Sequence, residues 1–107
     1  MSAAATPADR YISDSQQRIL SLIRTLGGHE LQGLSNGEIA SLQACDKAQV
    51  TRDLANLKHI GWAEQIAETG RWRLGPQIVQ ISLRYASGLS RAQTRLDEIQ
   101  SRFGRTG

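Results

Sequence analysis

The chain has 107 residues, of which 39% are hydrophobic, and a formal net charge of +3. This length fits one small domain with an added helix or tail. No apolar run approaches the length of a membrane span, and the first residues lack the charged start and apolar block of a secretion signal. The single cysteine excludes an intramolecular disulfide framework and fits a reducing cytoplasm.

Two features of the N-terminal part are predicted from local signals. Residues 1–11 offer little to bury, which predicts a disordered N-terminal arm. Ser13 or Asp14 can cap a first helix, and Gly27 with Gly28 can end it. The apolar stripe expected on this helix consists of residues at helical spacing, namely Ile12, Ile19, Ile23 and Leu26.

A helix-turn-helix is predicted next. Ser35 and Glu38 form a capping box, so a short second helix should run to about Leu42. Asp46 can cap a third helix, which should run to about Ile60, before the glycine that follows. The residues expected to be buried are Ile39 and Leu42 in the second helix and Val50, Leu54 and Leu57 in the third.

From Trp62 the pattern changes to a period of two, which predicts a β-hairpin with its tip at residues 67–70. Gly70 supplies the positive φ that such a turn often needs. The side chains expected to point inward are Trp62, Ile66, Trp72 and Leu74, and those expected to point outward are Glu64, Arg71 and Arg73.

Two further helices are predicted at the C-terminal end. Pro76 suits the first turn of a fourth helix, and Ser90 can cap a fifth. The predicted fold class is therefore mainly α with a small β-hairpin. A winged helix-turn-helix domain over residues 12–75 is followed by C-terminal linker and dimerisation helices over residues 76–107.

The third helix has the composition of a DNA-reading helix. In a helix-turn-helix, the N-terminal part of the second helix of the motif reaches the base edges. The amide of Gln49 suits adenine, and the fork of Arg52 suits guanine or a phosphate. The candidate DNA contacts are Lys47, Ala48, Gln49, Thr51, Arg52 and Asn56 in the helix and Arg71 and Arg73 in the hairpin.

Other interpretations of these residues stay open. An exposed Arg52 is more often simply solvated, and Arg71 or Arg73 could instead pair with Glu64 across the hairpin. Residues 45–75 contain five basic and four acidic side chains, so non-specific affinity for nucleic acid should be low.

The C-terminal helices carry more apolar surface than a small winged core can cover. The residues predicted to form a homodimer interface are Ile78, Ile81, Tyr85, Leu89, Leu96, Ile99 and Phe103. The alternative is that the fifth helix folds back onto its own domain.

Enzymatic chemistry has no support in the sequence. His29 and His59 lack metal-ligand spacing to each other or to Cys45, and no Gly-rich phosphate loop or nucleophile elbow is present. We therefore expect no catalytic residues, no metal site and no cofactor.

Four segments resemble a known family. They are SQQRILSLIRTL, GLSNGEIASL, KAQVTRDLANLKHIGW and ETGRWRLGP, and the last is the most specific. Together they are similar to the DNA-binding domain of the isocitrate lyase regulator (IclR) family of bacterial transcription factors, over about residues 15–103. Transferred position by position, the family's DNA contacts fall on Lys47, Ala48, Gln49, Thr51, Arg52 and Arg71. Family members usually carry small hydroxyl residues where this chain has Ala48 and Gln49, so its base preference need not match a relative's.

The resemblance implies a sequence-specific regulator that binds double-stranded DNA as a homodimer on a palindromic or pseudo-palindromic site, most simply as a repressor. It would act in the cytoplasm of a bacterium, from a cellular or a phage gene. The family continues into a C-terminal domain that binds a small effector. This sequence ends where that domain would begin, so no small-molecule effector is expected. The alternative function is an adaptor, a winged helix that docks onto a larger DNA-binding or replication protein.

Overall fold

The computed structural model describes residues 7–104, and these form a winged helix-turn-helix followed by one long helix. The elements are a short 3-10 helix (Pro7–Tyr11), α1 (Asp14–Leu26), α2 (Asn36–Gln43), α3 (Lys47–His59), β1 (Ala63–Gln65), β2 (Trp72–Leu74) and α4 (Pro76–Gly104). This order confirms the predicted fold class of helices with a small hairpin.

The beginning of the described chain differs from the disordered arm predicted for residues 1–11. Pro7–Tyr11 forms a 3-10 helix with no buried residue. The backbone N–H of Ile12 donates to the carbonyl of Asp9 at 3.1 Å, and the Arg10 guanidinium lies 5.0 Å from the centre of the Tyr11 ring. Residues 1–6 of the predicted arm lie outside the described residues.

The three helices of the winged domain begin where the sequence predicts. Ser13 caps α1, and Asp46 caps α3 by accepting a hydrogen bond from the Gln49 backbone N–H at 2.8 Å. In the capping box of α2, the Ser35 hydroxyl accepts from the Glu38 backbone N–H at 3.1 Å, and the Glu38 carboxylate accepts from the Ser35 backbone N–H at 2.9 Å. Each cap satisfies backbone donors that the first helical turn leaves unpaired.

The core lies where the three helices meet the hairpin. Its buried hydrophobic residues are Leu22, Leu26, Leu34, Ile39, Ala40, Val50, Leu54, Leu57 and Ala63. The stripe of α1 is centred on Leu22 and Leu26, whereas Ile12 precedes the helix and is exposed. The prediction that α2 buries Leu42 is wrong, because the buried face of this short helix runs through Ile39, Ala40 and the half-buried Gln43.

Gln43 fixes the C-terminal end of α2 against α1. Its Oε1 accepts hydrogen bonds from Thr25 Oγ1 at 2.7 Å and Ser21 Oγ at 3.1 Å, and its Nε2 donates to the Arg18 carbonyl at 3.0 Å. These bonds set the position of α2, which in turn supports α3.

The hairpin pairs antiparallel, with Ala63 opposite Leu74, Glu64 opposite Arg73 and Gln65 opposite Trp72. Its tip follows the prediction, since Gly70 has φ 75°. The loop before α2 adds a bridge, because Leu34 and Trp72 exchange two backbone hydrogen bonds of 2.8 Å.

The inward face of β1 differs from the prediction. Ala63 is buried, whereas Trp62 precedes the strand and is half-buried against the core. The reason is that successive side chains of a β-strand point to opposite faces. Trp62, Glu64 and Ile66 share one parity, so a regular strand does not place Glu64 on the face opposite the other two.

The C-terminal segment is one helix rather than the two predicted. α4 has 29 residues, and Ser90 lies within it instead of capping a fifth helix. Gly88 is the weakest position of this interior and costs only about 1 kcal/mol relative to alanine, which does not end a helix. None of the described residues of α4 is buried, so the alternative in which a fifth helix folds back onto its own domain is not what the structure shows. Among the described residues, 7–104, the helices contain no stretch with the length and hydropathy of a transmembrane span.

Candidate nucleic-acid interface

An ion pair between α1 and α3 fixes the orientation of α3. Asp53 lies on the core-facing stripe of α3 and is 6% exposed. Arg18 donates to it twice, from Nε at 2.7 Å and from Nη2 at 3.1 Å. The hydrogen bond to Asp53 raises the pKa of Arg18, despite partial desolvation, so the guanidinium stays charged.

This pair was not predicted from the sequence, where Asp53 is one of the four acidic side chains of residues 45–75 that lower the expected non-specific affinity for nucleic acid. The signal was available, because Asp53 is three residues after Val50 and directly before Leu54. A carboxylate on an apolar stripe needs a buried partner. The structure therefore removes this negative charge from the exposed face of α3.

The face of α3 opposite the core is open to solvent. Arg52 is exposed and Gln49 is half-buried, and neither side chain forms a hydrogen bond or ion pair within residues 7–104. Ala48 and Asn56 are exposed beside them, and Asn56 Nδ2 donates to the Arg52 carbonyl at 2.9 Å. This face therefore carries Gln49 and Arg52, the two side chains that the sequence predicts to read bases, and both are available to bind a ligand.

The edge of α3 nearest α2 holds the other two candidates. Thr51 Oγ1 donates to the Lys47 carbonyl at 2.9 Å and accepts from Asn36 Nδ2 at 2.8 Å. The side chain of Lys47 lies over the first turn of α2, since a Cβ added to Gly37 would sit 3.4 Å from its Cε. Lys47 is also the first residue of α3, so its ammonium lies near the N-terminal ends of two helices, which attract anions.

Arg71 is held by the loop and helix beside the hairpin. Its Nη2 donates to Glu38 Oε1 at 2.6 Å and to the Gly33 carbonyl at 3.1 Å, and its Nε donates to the Gln32 carbonyl at 3.0 Å. The hydrogen bond from the Ser35 backbone lowers the pKa of Glu38 most, and the charge of Arg71 adds to this effect. Arg71 therefore joins the hairpin to the start of α2.

Arg73 is paired across the hairpin. Its Nε and Nη2 lie 3.3 and 3.2 Å from Glu64 Oε2, and its Nη1 donates to the Glu30 carbonyl at 3.3 Å. The cross-strand pairing with Glu64 that the sequence left open is confirmed for Arg73, whereas Arg71 uses Glu38 instead.

These pairs change how the charge of the domain is distributed. Residues 12–75 contain seven basic and seven acidic side chains, so the domain is formally neutral. Three of the acids, Asp53, Glu38 and Glu64, are each paired with an arginine. The side chains of three cations on α3 form no hydrogen bond or ion pair within the described chain, namely those of Lys47, Arg52 and Lys58. The solvent-exposed surface of α3 thus carries three positive charges that no acid of the described chain pairs with.

No protein-family model and no curated protein sequence matches the chain. Solved structures do. The crystal structure of an IclR family transcriptional regulator from Brucella abortus matches with a TM-score of 0.66 and 26% identity, over 83% of this chain and 33% of that one. An IclR transcriptional regulator from Alicyclobacillus acidocaldarius matches with a TM-score of 0.64 and 22% identity, over 71% of this chain and 30% of that one. A third structure, described as an ICLR transcriptional regulator from Silicibacter sp. TM1040, matches with a TM-score of 0.60 and 28% identity, over 73% of this chain and 32% of that one.

The chain has an IclR-type winged helix-turn-helix fold. The resemblance read from the four sequence segments is thereby confirmed. The chain spans about a third of the length of each of these solved chains.

In this IclR-type fold, the seven residues predicted to form a dimer interface all lie on α4. Ile78 is half-buried and the other six are exposed. They are therefore not used by the core of their own chain.

The structure brings no metal-binding group together within residues 7–104. Cys45 is half-buried against the core, as a small apolar residue would be, and His59 is exposed on α3.

Proposed function

We propose that this chain acts as the DNA-binding unit of a transcription regulator and places α3 in the major groove of double-stranded DNA. One observation carries the proposal: Gln49 and Arg52 stand on the open face of a helix that is fixed from behind, and neither is engaged by its own chain. Side chains that read bases must be positioned by a rigid element and still be free to bond. Similarity to three solved transcriptional regulators supports it.

The proposed contacts divide into two roles on α3. Gln49 and Arg52 read base edges, since an amide suits adenine and a guanidinium suits guanine. Lys47 binds a phosphate beside the helix ends, and Ala48 lets the backbone approach closely. Thr51 and Asn56 complete the contact set, and the bonds that Thr51 makes to α2 and α3 also hold the two helices together.

The hairpin has a supporting role in this proposal. Arg71 and Arg73 keep the wing against the domain through the bonds described above. Nη1 of Arg71 makes no hydrogen bond within residues 7–104, so it is left to donate to a phosphate at the edge of the site.

We further propose that two copies bind one palindromic or pseudo-palindromic site and repress transcription by occupying it. The apolar residues exposed along α4 support the dimer, since a two-fold protein matches a two-fold site. Binding to a promoter blocks polymerase without any further activity of the chain.

Selection of binding sites from random duplexes tests the proposal first. The selected duplex is then used in fluorescence anisotropy with Arg52→Ala and with Arg24→Ala as a matched control, because Arg24 is an exposed arginine of α1 outside the proposed surface. Losing a base contact costs about 1–3 kcal/mol at each half-site, so Arg52→Ala should weaken the binding of one copy roughly 5- to 150-fold and that of two copies by about the square of this factor. Arg24→Ala should bind like wild type. Equal affinity of wild type and Arg52→Ala would overturn the proposal.

The second candidate function is the adaptor that docks onto a larger DNA-binding or replication protein. The formal neutrality of residues 12–75 and the exposed apolar side chains of α4 favour it. The same selection separates the two functions, because an adaptor would enrich no duplex and would bind random DNA without a marked salt dependence.

A further inference from the structure

Thr51 lies at the edge of α3 that faces α2, and its hydroxyl group is engaged twice by its own chain. Oγ1 donates to the Lys47 carbonyl at 2.9 Å and accepts a hydrogen bond from Asn36 Nδ2 at 2.8 Å. A threonine hydroxyl has only one proton to donate, and a phosphate oxygen can only accept. Thr51 therefore cannot donate to the DNA backbone without giving up its bond to the Lys47 carbonyl.

The same two bonds determine which part of Thr51 is left for a ligand. The hydroxyl and the methyl group share one Cβ, so holding Oγ1 on the carbonyl four residues earlier also fixes the direction of Cγ2. Thr51 is nevertheless exposed to solvent. Because Oγ1 is held by the Lys47 carbonyl and by α2, the methyl group is the part of this side chain that remains available.

Asn36, the first residue of α2, holds Thr51 from the other side. The Asn36 side chain is half-buried, and its Oδ1 is buried and accepts no hydrogen bond within residues 7–104. A buried amide oxygen without a donor costs free energy, which offsets the gain from the bond that Nδ2 makes. Asn36 thus contributes little net stability, and its distinctive contact is the one that holds the Thr51 hydroxyl.

We propose that Thr51 recognises thymine through its methyl group and that Asn36 positions it for this contact. This inference rests on the placement of α3 in the major groove and adds the base and the atoms that are read. Thymine carries a C5-methyl group that the other three bases lack. This group is exposed in the major groove, where an apolar contact from a threonine methyl can recognise it.

The place of Thr51 on α3 suits this contact. Thr51 follows Lys47 by four residues and directly precedes Arg52, so it lies between the residue placed at a phosphate and a residue placed at a base edge. The C5-methyl group of thymine lies at the edge of the major groove, on the side of its own backbone. A side chain one helical turn from a phosphate contact is therefore well placed to reach it.

Removing the methyl group of the DNA tests the proposal. In the duplex obtained by site selection, each thymine is replaced in turn by deoxyuridine, which lacks only the C5-methyl group, at equivalent positions of both half-sites. The measured quantity is the ratio of the Kd for the deoxyuridine duplex to the Kd for the thymine duplex. At the thymine that Thr51 reads, we expect a ratio of about fourfold for each bound copy, which is the effect of burying one methyl group.

Two variants of Thr51 separate the methyl group from the hydroxyl. Thr51→Ser keeps the hydroxyl and removes the methyl group, so the ratio at this thymine should fall to about one. Thr51→Val keeps a methyl group and removes the hydroxyl, so its ratio should stay above that of Thr51→Ser. Ratios at other thymines should be the same in both variants as in wild type.

Asn36→Ala tests the positioning role. Thr51 can then adopt other rotamers, so the ratio should lie between those of wild type and Thr51→Ser. A loss of folded protein weakens binding to both duplexes equally and leaves the ratio unchanged, so a lowered ratio reports the position of Thr51 rather than stability. A ratio that Asn36→Ala leaves at the wild-type value would overturn the positioning role.

Three results would overturn the recognition of thymine by the methyl group of Thr51. One is a selected duplex in which no exchange of thymine for deoxyuridine alters affinity. Another is a ratio that Thr51→Ser leaves unchanged, and the third is a ratio that is lost in Thr51→Val but kept in Thr51→Ser, as contact through the hydroxyl requires. The DNA proposal fails separately, by selection that enriches no duplex or by Arg52→Ala binding like wild type.

Discussion

Substitutions at Asp46, the N-cap of α3, can separate the effect of the capping hydrogen bond on stability from the effect of the negative charge. Asp46 Oδ1 accepts the Gln49 backbone N–H at 2.8 Å. Asp46→Ala removes both the acceptor and the negative charge, whereas Asp46→Asn keeps an acceptor of similar shape and removes only the charge. The two variants therefore differ in one hydrogen bond.

The size of the effect follows from this single bond. Replacing an N-cap by alanine costs about 1 kcal/mol, and in a domain of this size about 1 kcal/mol lowers Tm by roughly 4–8 °C. Asparagine caps nearly as well as aspartate and loses only the favourable charge at the helix N-terminus, about 0.3–1 kcal/mol. We expect Tm to fall in the order wild type, Asp46→Asn, Asp46→Ala.

DNA affinity should follow a different order. Asp46 directly precedes Lys47, where we place a phosphate, so its charge repels the DNA backbone. Asp46→Asn should therefore bind the selected duplex a few times more tightly than wild type, although it is slightly less stable.

Thermal melting and fluorescence anisotropy check both orders. Trp62 and Trp72 pack against the core, so their fluorescence reports the winged domain rather than α4. Equal melting of Asp46→Ala and Asp46→Asn would show that the cap does not stabilise α3. Weaker DNA binding by Asp46→Asn would show that no phosphate lies at this end of the helix.

Three further predictions concern residues that stabilise the winged domain behind the proposed DNA-binding surface. Leu54 is 1% exposed, so Leu54→Ala should lower the free energy of unfolding by about 2–5 kcal/mol in urea titrations, and a smaller loss would mean that the core collapses around the cavity. Gly33 has φ 69° and an added Cβ would lie 2.6 Å from the Trp72 carbonyl oxygen, so Gly33→Ala should destabilise the domain, whereas Gly28→Ala, which meets nothing within 4 Å, should cost less. The pKa of Glu38 is lowered below its ordinary 4.5 on folding, so its carboxylate stabilises the domain above that pH, and this contribution is lost as the pH falls through the lowered value. The urea midpoint of wild type should exceed that of Glu38→Gln at pH 6 and approach it at pH 3, and a gap that is constant with pH would contradict the assignment.

The sequence predicts the parts of this fold that depend on neighbouring residues. The capping box of Ser35 and Glu38, the cap at Asp46 and the turn at Gly70 all use groups within a few residues of each other, and all three lie where predicted. A single capping residue, without other helix-ending residues beside it, can predict a helix boundary that does not exist. Ser90 has the side chain of a helix cap, but no proline or helix-ending turn precedes it, so the helix continues.

The contacts that determine which side chains are free lie far apart in the chain. Arg18 and Asp53 are separated by 35 positions, and Arg71 and Glu38 by 33. Periodicity shows which face of a helix is buried but does not show which carboxylate meets which guanidinium. For this reason the sequence leaves Arg71 as either a DNA contact of the wing or a partner of Glu64, whereas in the structure it pairs with Glu38 and holds the wing to α2.

The salt dependence of DNA binding tests most directly whether the exposed face of α3 contacts DNA. Each phosphate contact adds about 0.9 to the magnitude of the slope of log K against log salt concentration. Two copies that each present Lys47 and Arg71 to phosphates should approach a slope of about −4, and Lys47→Ala should reduce its magnitude by about 2 while the preference for the selected duplex is kept. A slope near zero, or one that Lys47→Ala leaves unchanged, would contradict the assignment of α3 as the DNA-reading helix.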